Sequence, residues 1–163
     1  MALPHFHTIG AYGSAENEFF EKLVQNNIDT LIDIRRRRAV RGSEYAFANS
    51  NRLQDKLAKL AIRYIHEPGL APTEEMITAQ GAADKMNKVA RRQRTELSPS
   101  FKKSYTNEVL SVFNLEQFAE TLGKTKAKRV AFFCVEKSPE ACHRFLVCER
   151  LRELIPQIRI THL

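Results

Sequence analysis

Two carboxylates, an imidazole and a set of guanidinium groups carry most of the chemistry this sequence offers. Asp33 lies within the apolar run Thr-Leu-Ile-Asp-Ile, and Glu136 follows Val-Ala-Phe-Phe-Cys-Val. A carboxylate among apolar strand residues is costly to bury without a partner. Asp33 therefore either pairs structurally with Arg35 or Arg144, or faces a substrate; Glu136 either caps a turn or does chemistry. His143 and Arg144 fall near the N-terminus of a helix opening at Ser138-Pro139, where a cationic pair opposes the helix dipole. An anion offsets that: a ligand phosphate, or Asp33 and Glu136 themselves. A carboxylate that stabilises an oxocarbenium-like state and activates water, beside a cation that holds the leaving base, is the apparatus for N-glycosidic hydrolysis. On this reading Asp33, Glu136 and His143 are catalytic. Tyr12, Arg35, Phe47, His66 and Arg144 bind the substrate, with Tyr12 and Phe47 stacking on a base.

The thiols offer an alternative. Cys134, Cys142 and Cys148 crowd into the last third of the chain. Cys134 reads as a small core residue, as does Cys148. Cys142, near a helix start, has a lowered thiol pKa if exposed. Adjacent helical residues do not face each other, so a dyad between Cys142 and His143 is not expected. An anion-cradling cysteine loop closed by arginine within about six residues is excluded on spacing: Cys134 to Arg144 is too long and Cys142 to Arg144 too short. No Cys-x-x-Cys, His-Glu-x-x-His, G-x-G-x-x-G or Walker pattern occurs, so no metal site and no cofactor are expected. The thiol reading that survives has Cys134 and Cys142 as a redox or metal pair beside His143 and His66.

The elements that must position these groups are legible. Strands are expected at His5 to Ile9, Thr30 to Ile34, Arg63 to His66, Arg129 to Val135 and Gln157 to His162; the second and fourth are the continuous apolar runs of buried parallel strands. Helices separate them. Ser14 caps one with the stripe Phe19, Phe20, Leu23 and Val24. Ser50 starts another, with Leu53, Leu57, Leu60 and Ala61 on one side. Thr73 precedes a third that runs to about Thr95, and Ser98-Pro99 opens a fourth. Asn114 and Gln117 form a capping box for a fifth, ended by Gly123. The sixth begins at Ser138-Pro139-Glu140 and is closed by Pro156. The order implies an α/β fold: a mostly parallel five-stranded sheet flanked by helices, with a helical insertion between strands three and four. Ligands bind at the carboxyl edge of such a sheet, and each strand that feeds a helix delivers a polar group there.

With 163 residues, 43% apolar and 28% charged, the chain reads as one domain spanning residues 1–163. No apolar run is long enough to span a bilayer and no signal peptide is evident. Three unpaired cysteines fit a reducing cytoplasm. Lys plus Arg number 26 against 19 Asp plus Glu, a formal charge of +7, which favours a polyanionic partner. The excess is concentrated. Arg35, Arg36, Arg37, Arg38 and Arg41 form one block, and Lys85, Lys88, Arg91, Arg92, Arg94, Lys102 and Lys103 a second. Arg36, Arg37, Arg38, Arg41, Lys88, Arg91 and Arg92 are expected to grip a nucleic-acid backbone.

Taken together the residues resemble a bacterial and archaeal family, domain of unknown function 488. The resemblance rests on Thr8-Ile9-Gly10 with Ser14, on Asp33-Ile34-Arg35, and on Ile62-Arg63-Tyr64 with His66 and Pro68. Its most specific part is Cys134-x-Glu136-x-x-Pro139-x-x-Cys142-His143-Arg144, with Thr161-His162-Leu163 closing the chain. The first loop, Ala11-Tyr12-Gly13-Ser14, departs from the family's usual Gly-Tyr/His-Ser. The resemblance implies a compact α/β fold and a site built from Asp33, Arg35, Glu136, His143 and Arg144. It also implies a link to DNA repair, with removal of a methylated adenine as an activity to test. The expected function is thus that of a nucleic-acid-acting enzyme, a DNA glycosylase for a modified base. A non-catalytic nucleic-acid-binding module is the alternative, and the thiol protein the third reading. DNA is the expected partner, no membrane is, and no protein partner is indicated.

Overall fold

A computed structural model describes residues 2–163. Its five strands are β1 (His5–Ile9), β2 (Thr30–Asp33), β3 (Arg63–His66), β4 (Arg129–Phe133) and β5 (Ile160–His162). All pair in parallel in the order β3-β2-β4-β1-β5. The six α-helices are α1 (Glu16–Gln25), α2 (Ser50–Lys59), α3 (Glu74–Met86), α4 (Pro99–Tyr105), α5 (Leu115–Lys124) and α6 (His143–Leu154). Among the described residues no helix is long and apolar enough to cross a membrane.

Strand periodicity divides the core into two layers, because successive side chains leave a strand on opposite faces. Phe6, Ile32, Val130 and Phe132 meet Tyr105, Leu122, Val147 and Leu151 from α4, α5 and α6. Ile9, Leu31, Ala131 and Phe133 meet Phe19, Leu23, Leu53 and Leu57 from α1 and α2. Each of the larger side chains contributes about 1.5–3 kcal/mol on burial. Both faces of the inner strands are covered, which accounts for their continuous apolar sequences.

Several boundaries differ from the sequence reading. The third helix stops at Met86; Asn87 caps it, and Lys88 takes a left-handed backbone (φ 55°). Residues up to Thr95 instead form an irregular segment with a short turn at Arg91–Gln93. The first helix is capped at Ala15, where the Glu18 carboxylate accepts from the Ala15 N–H at 3.0 Å, so Ser14 lies one residue outside it. Near the C-terminus, Pro139–Ala141 is a separate 3-10 turn, and α6 begins only at His143. Gly123 lies inside α5, whose left-handed exit is made by Lys126 (φ 66°). β2, β4 and β5 are shorter than the strands expected at Thr30 to Ile34, Arg129 to Val135 and Gln157 to His162.

The strand order sets the position of the site. After β1 the chain moves toward β2 and β3, whereas after β4 it moves to β5 at the opposite edge. β1 and β4 are neighbours, and the connections that leave them pack on opposite faces of the sheet, α1 in one core layer and α6 in the other, which opens a crevice between the two exits. The two exits are nonetheless held close: the Ala11 and Tyr12 N–H groups donate to the Val135 carbonyl at 3.1 and 2.8 Å. A Cβ on Gly10 would lie 2.0 Å from the Glu136 carbonyl oxygen. Only glycine permits that approach.

Candidate functional site

A cavity of about 1020 Å³ opens at the carboxyl edge of the sheet. Tyr12 enters it from the β1 exit, Arg35 through Arg41 from the β2 exit, and Cys134 through Glu136 from the β4 exit. Cys142 and His143 reach it from the start of α6, and α3 with the Arg91–Arg94 segment closes the far wall. The volume is at the upper end of the range for small-molecule sites and accommodates a nucleoside.

The two carboxylates have different places in it. Asp33 is fully buried. Arg35 Nε donates to its Oδ1 at 2.9 Å and Arg35 Nη2 to its Oδ2 at 2.7 Å; the Arg35 N–H and the Tyr64 hydroxyl complete the set at 3.1 and 2.7 Å. Arg35 is in turn fixed by the Ala48 carbonyl at 2.9 Å and lies over the Phe133 ring at 4.6 Å. Asp33 has no face on the cavity. Its expected contact with substrate is therefore absent, and its role here is to anchor Arg35. Glu136 does line the cavity. Its Oε1 accepts from Arg91 at 3.0 Å and from Arg94 at 3.2 Å, and its Oε2 from the Cys134 thiol at 3.1 Å. Arg94 is held by Asp84 at 2.7 Å and by the Ala141 carbonyl. Arg91, in contrast, is 56% exposed.

Cys142 and His143 correct an expectation. The argument that neighbours on a helix diverge assumes helical backbone at both residues. Cys142 is the N-cap, with extended φ −141° and ψ 148°, so its side chain does not follow the helical spacing. Its Sγ lies 3.6 Å from His143 Nδ1. The other ring nitrogen, Nε2, donates to the Ile34 carbonyl at 2.8 Å, which fixes the ring with Nδ1 toward the sulfur. Burial pushes the Cys142 thiol up, but the adjacent Cys134 thiol and the positive charges of His143 and Arg144 outweigh it and hold the thiol well below the usual range. His143 moves oppositely: burial lowers it, and the Cys142 sulfur and the Ile34 carbonyl raise it above its ordinary value. Cys134 is pushed well up, first by the adjacent Cys142 sulfur and then by burial. Cys148 packs in the core among α5, α6 and the sheet, and burial drives its thiol to about 12.

The remaining candidates divide. Tyr12 lines the cavity, with the Arg92 guanidinium over its ring at 5.0 Å and over Tyr45 at 4.9 Å. Phe47 does not: it is buried against Phe19, Phe20 and Tyr45, which leaves no face for a base. His66 is tied to the Arg35 carbonyl at 3.0 Å and lies off the cavity. Arg144 is buried behind the Gly10 and Lys137 loops, with Nη2 on the Lys137 carbonyl at 3.2 Å and with Nε and Nη1 unpartnered. Arg36, Arg37, Arg38 and Arg41 do line the rim. Arg36 binds the Pro72 carbonyl, Arg37 pairs with Glu74 at the surface, and Arg38 donates to Ser50 at 3.0 Å. Arg91 and Arg92 are on the rim, whereas Lys88 points elsewhere on the surface. Sequence reasoning placed Arg94 in a basic block but gave it no role, and it missed Asp84. No local pattern marks a cation–carboxylate clamp whose members come from a helix, a loop and a strand exit.

The family model described as Domain of unknown function DUF488 matches residues 16–151. No curated protein and no solved structure matches the chain.

Proposed function

The chain belongs to the DUF488 family, and from that premise we propose an enzyme that acts on nucleic acid, releasing a modified base by hydrolysis of its N-glycosidic bond. The observation that carries the reading is Glu136 on the wall of a cavity large enough for a nucleoside, with a rim built of arginines. DNA is the proposed partner, and a methylated adenine is the first base to test.

The chemistry follows from the placement. A nucleotide leaves the duplex and enters the cavity, its base against Tyr12 and its phosphates against the rim guanidinium groups. Positive charge develops at the anomeric carbon as the C1′–N bond lengthens, and the Glu136 carboxylate stabilises it. Water adds to C1′ and gives up a proton to Glu136; the electron pair of the broken bond leaves with the base. The base takes the proton back, held meanwhile by the exposed Arg91. His143 has both ring nitrogens engaged, so it serves as a positioning residue for Cys142 and not as the proton donor.

The test is a panel of modified-base oligonucleotides assayed for abasic sites. Release from at least one, lost in Glu136→Gln at unchanged low-salt affinity, supports the proposal. No abasic product with any member of the panel overturns it. One observation favours the second reading, a non-catalytic binding module: both oxygens of Glu136 already have partners. On that reading Glu136→Gln changes stability alone, while binding falls steeply with salt.

A further inference from the structure

Outside the glycosidic reading, the thiols and the imidazole make a second constellation. Cys134 Sγ, Cys142 Sγ and a ring nitrogen of His143 all lie within 4.8 Å of one another, the one such cluster of potential metal ligands found among the described residues. We propose that Cys134, Cys142 and His143 bind a thiophilic divalent cation, Zn²⁺, with the fourth coordination position open to the cavity.

Three features carry this. The first is spacing. Around tetrahedral zinc two sulfurs stand about 3.8 Å apart, and a sulfur and an imidazole nitrogen about 3.5 Å. The observed 3.6 Å between Cys142 Sγ and His143 Nδ1 matches the second edge. The second is orientation. Metal-binding histidines ordinarily donate the other ring nitrogen to a carbonyl or carboxylate, which aims the free nitrogen at the ion. The Ile34 carbonyl does this for His143 at 2.8 Å. The third is charge. Two thiolates neutralise the ion, so an anion in the last position leaves a net negative charge in a buried site. Arg144 is the counter-charge at hand, a buried guanidinium next to His143 in the chain with Nε and Nη1 unpartnered.

The open position follows from the lining. Cys134, Cys142, His143 and Glu136 all border the cavity, so the side of the ion away from the protein faces it. Three protein ligands with a vacant fourth position is the pattern of a zinc that binds an exogenous ligand. Glu136 Oε2, 3.1 Å from Cys134 Sγ, stands beside that position. Binding releases two protons to solvent, so that both sulfurs enter as thiolates and the imidazole as neutral. No electron transfer is involved.

The experiment uses the full chain purified under reducing conditions, titrated with Zn²⁺ against a chromophoric chelator and separately with Co²⁺. One equivalent is expected to bind. The cobalt form is expected to show a thiolate-to-cobalt charge-transfer band of an intensity matching two sulfurs. Adding azide to the cobalt protein is expected to shift its visible d–d bands, as an open position requires. Cys134→Ser and Cys142→Ser should each weaken Zn²⁺ by more than about 100-fold, with Cys148→Ser unchanged. No stoichiometric binding by the wild-type chain overturns the proposal, as does a cobalt complex without thiolate absorption. Bands insensitive to azide overturn the open position. These wild-type readouts hold even if a serine variant fails to fold, and none depends on base release, so the site and the glycosidic reading fail separately.

Discussion

Asp33 ends β2, Glu136 follows the neighbouring β4, and both are paired with arginine, yet they stand in different physical situations. Asp33 is held by Arg35, two residues away, and by Tyr64 from the adjacent strand. Its four hydrogen bonds come from rigid sheet-edge groups and leave no oxygen toward the cavity. Glu136 is held by arginines more than 40 residues distant in sequence (|i−j| 45 and 42), on a segment without regular secondary structure over most of its length. One of them is more than half exposed. A clamp assembled from short-range partners inside the sheet is part of the fold. A clamp with one partner, Arg91, on the surface can be opened on that side by a ligand that offers it a phosphate instead, while Arg94 stays anchored by Asp84. Pairing alone therefore does not separate a structural carboxylate from a functional one; where the partner is anchored does.

The sharpest way to break this contrast is Asp33→Asn. The substitution leaves the Arg35 guanidinium buried without its counter-charge, at a cost of about 3–5 kcal/mol. A large drop in melting temperature is expected, with loss of folded protein at physiological temperature as the extreme. A variant with wild-type stability but no function would instead make Asp33 a participant in the chemistry. Glu136→Gln is the reciprocal test. Its expected effect is on base release, about 100-fold or more, with a smaller loss of thermal stability than in Asp33→Asn, because Arg94 keeps Asp84 as a partner and Arg91 reaches solvent. Equal losses of stability in both variants would erase the distinction.

A smaller change sharpens it. Tyr64→Phe deletes the 2.7 Å hydrogen bond to Asp33 Oδ2 and keeps the ring packing. A hydrogen bond to a charged group contributes about 1.5–3 kcal/mol when buried, and Tyr64 is only partly so, which points to the lower end of that range. Denaturant midpoint should fall, while nucleic-acid affinity should not.

How much of this was legible depends on whether the signal was local. The ends of β1 and β3 follow from their composition, and the five strands and their flanking helices follow from apolar runs and cap residues. The break after Met86 did not, because Lys88 adopts φ 55° where a glycine or asparagine is the usual marker. The same holds at Cys142, whose extended backbone is imposed by the turn before α6 and not by its own side chain. That single backbone state decides whether Cys142 and His143 meet. The convergence of strand exits was readable, since it is a property of parallel sheets. Which tips face inward was not: Phe47 is consumed by packing against Phe19 and Phe20, distant in sequence, and the local Asp33–Arg35 pair, one of the two readings of Asp33, is completed by Tyr64 from β3.

The rim gives the smallest expected effect and the cleanest one to interpret. Arg37 is 66% exposed and pairs with Glu74, itself 48% exposed, and such a surface pair is worth little to stability. Replacing Arg37 with Ala should leave unfolding within about 0.5 kcal/mol of wild type. If the β2 exit grips phosphates, the variant should lose affinity for all DNA sequences alike. The slope of log affinity against log salt should then fall by about 1. The reason lies in counterions: one fewer phosphate is neutralised, so one fewer condensed ion is released. Arg35 offers no such handle, because its guanidinium is already committed to Asp33 and the Ala48 carbonyl. An unchanged salt slope in Arg37→Ala, with the affinity also unchanged, would move the anion-binding surface to the Arg91–Arg92 wall, where the same measurement on Arg92→Ala decides it. The arginine block after β2 thus contains both kinds of cation that the two carboxylates illustrate, one built into the sheet and others free to take a ligand.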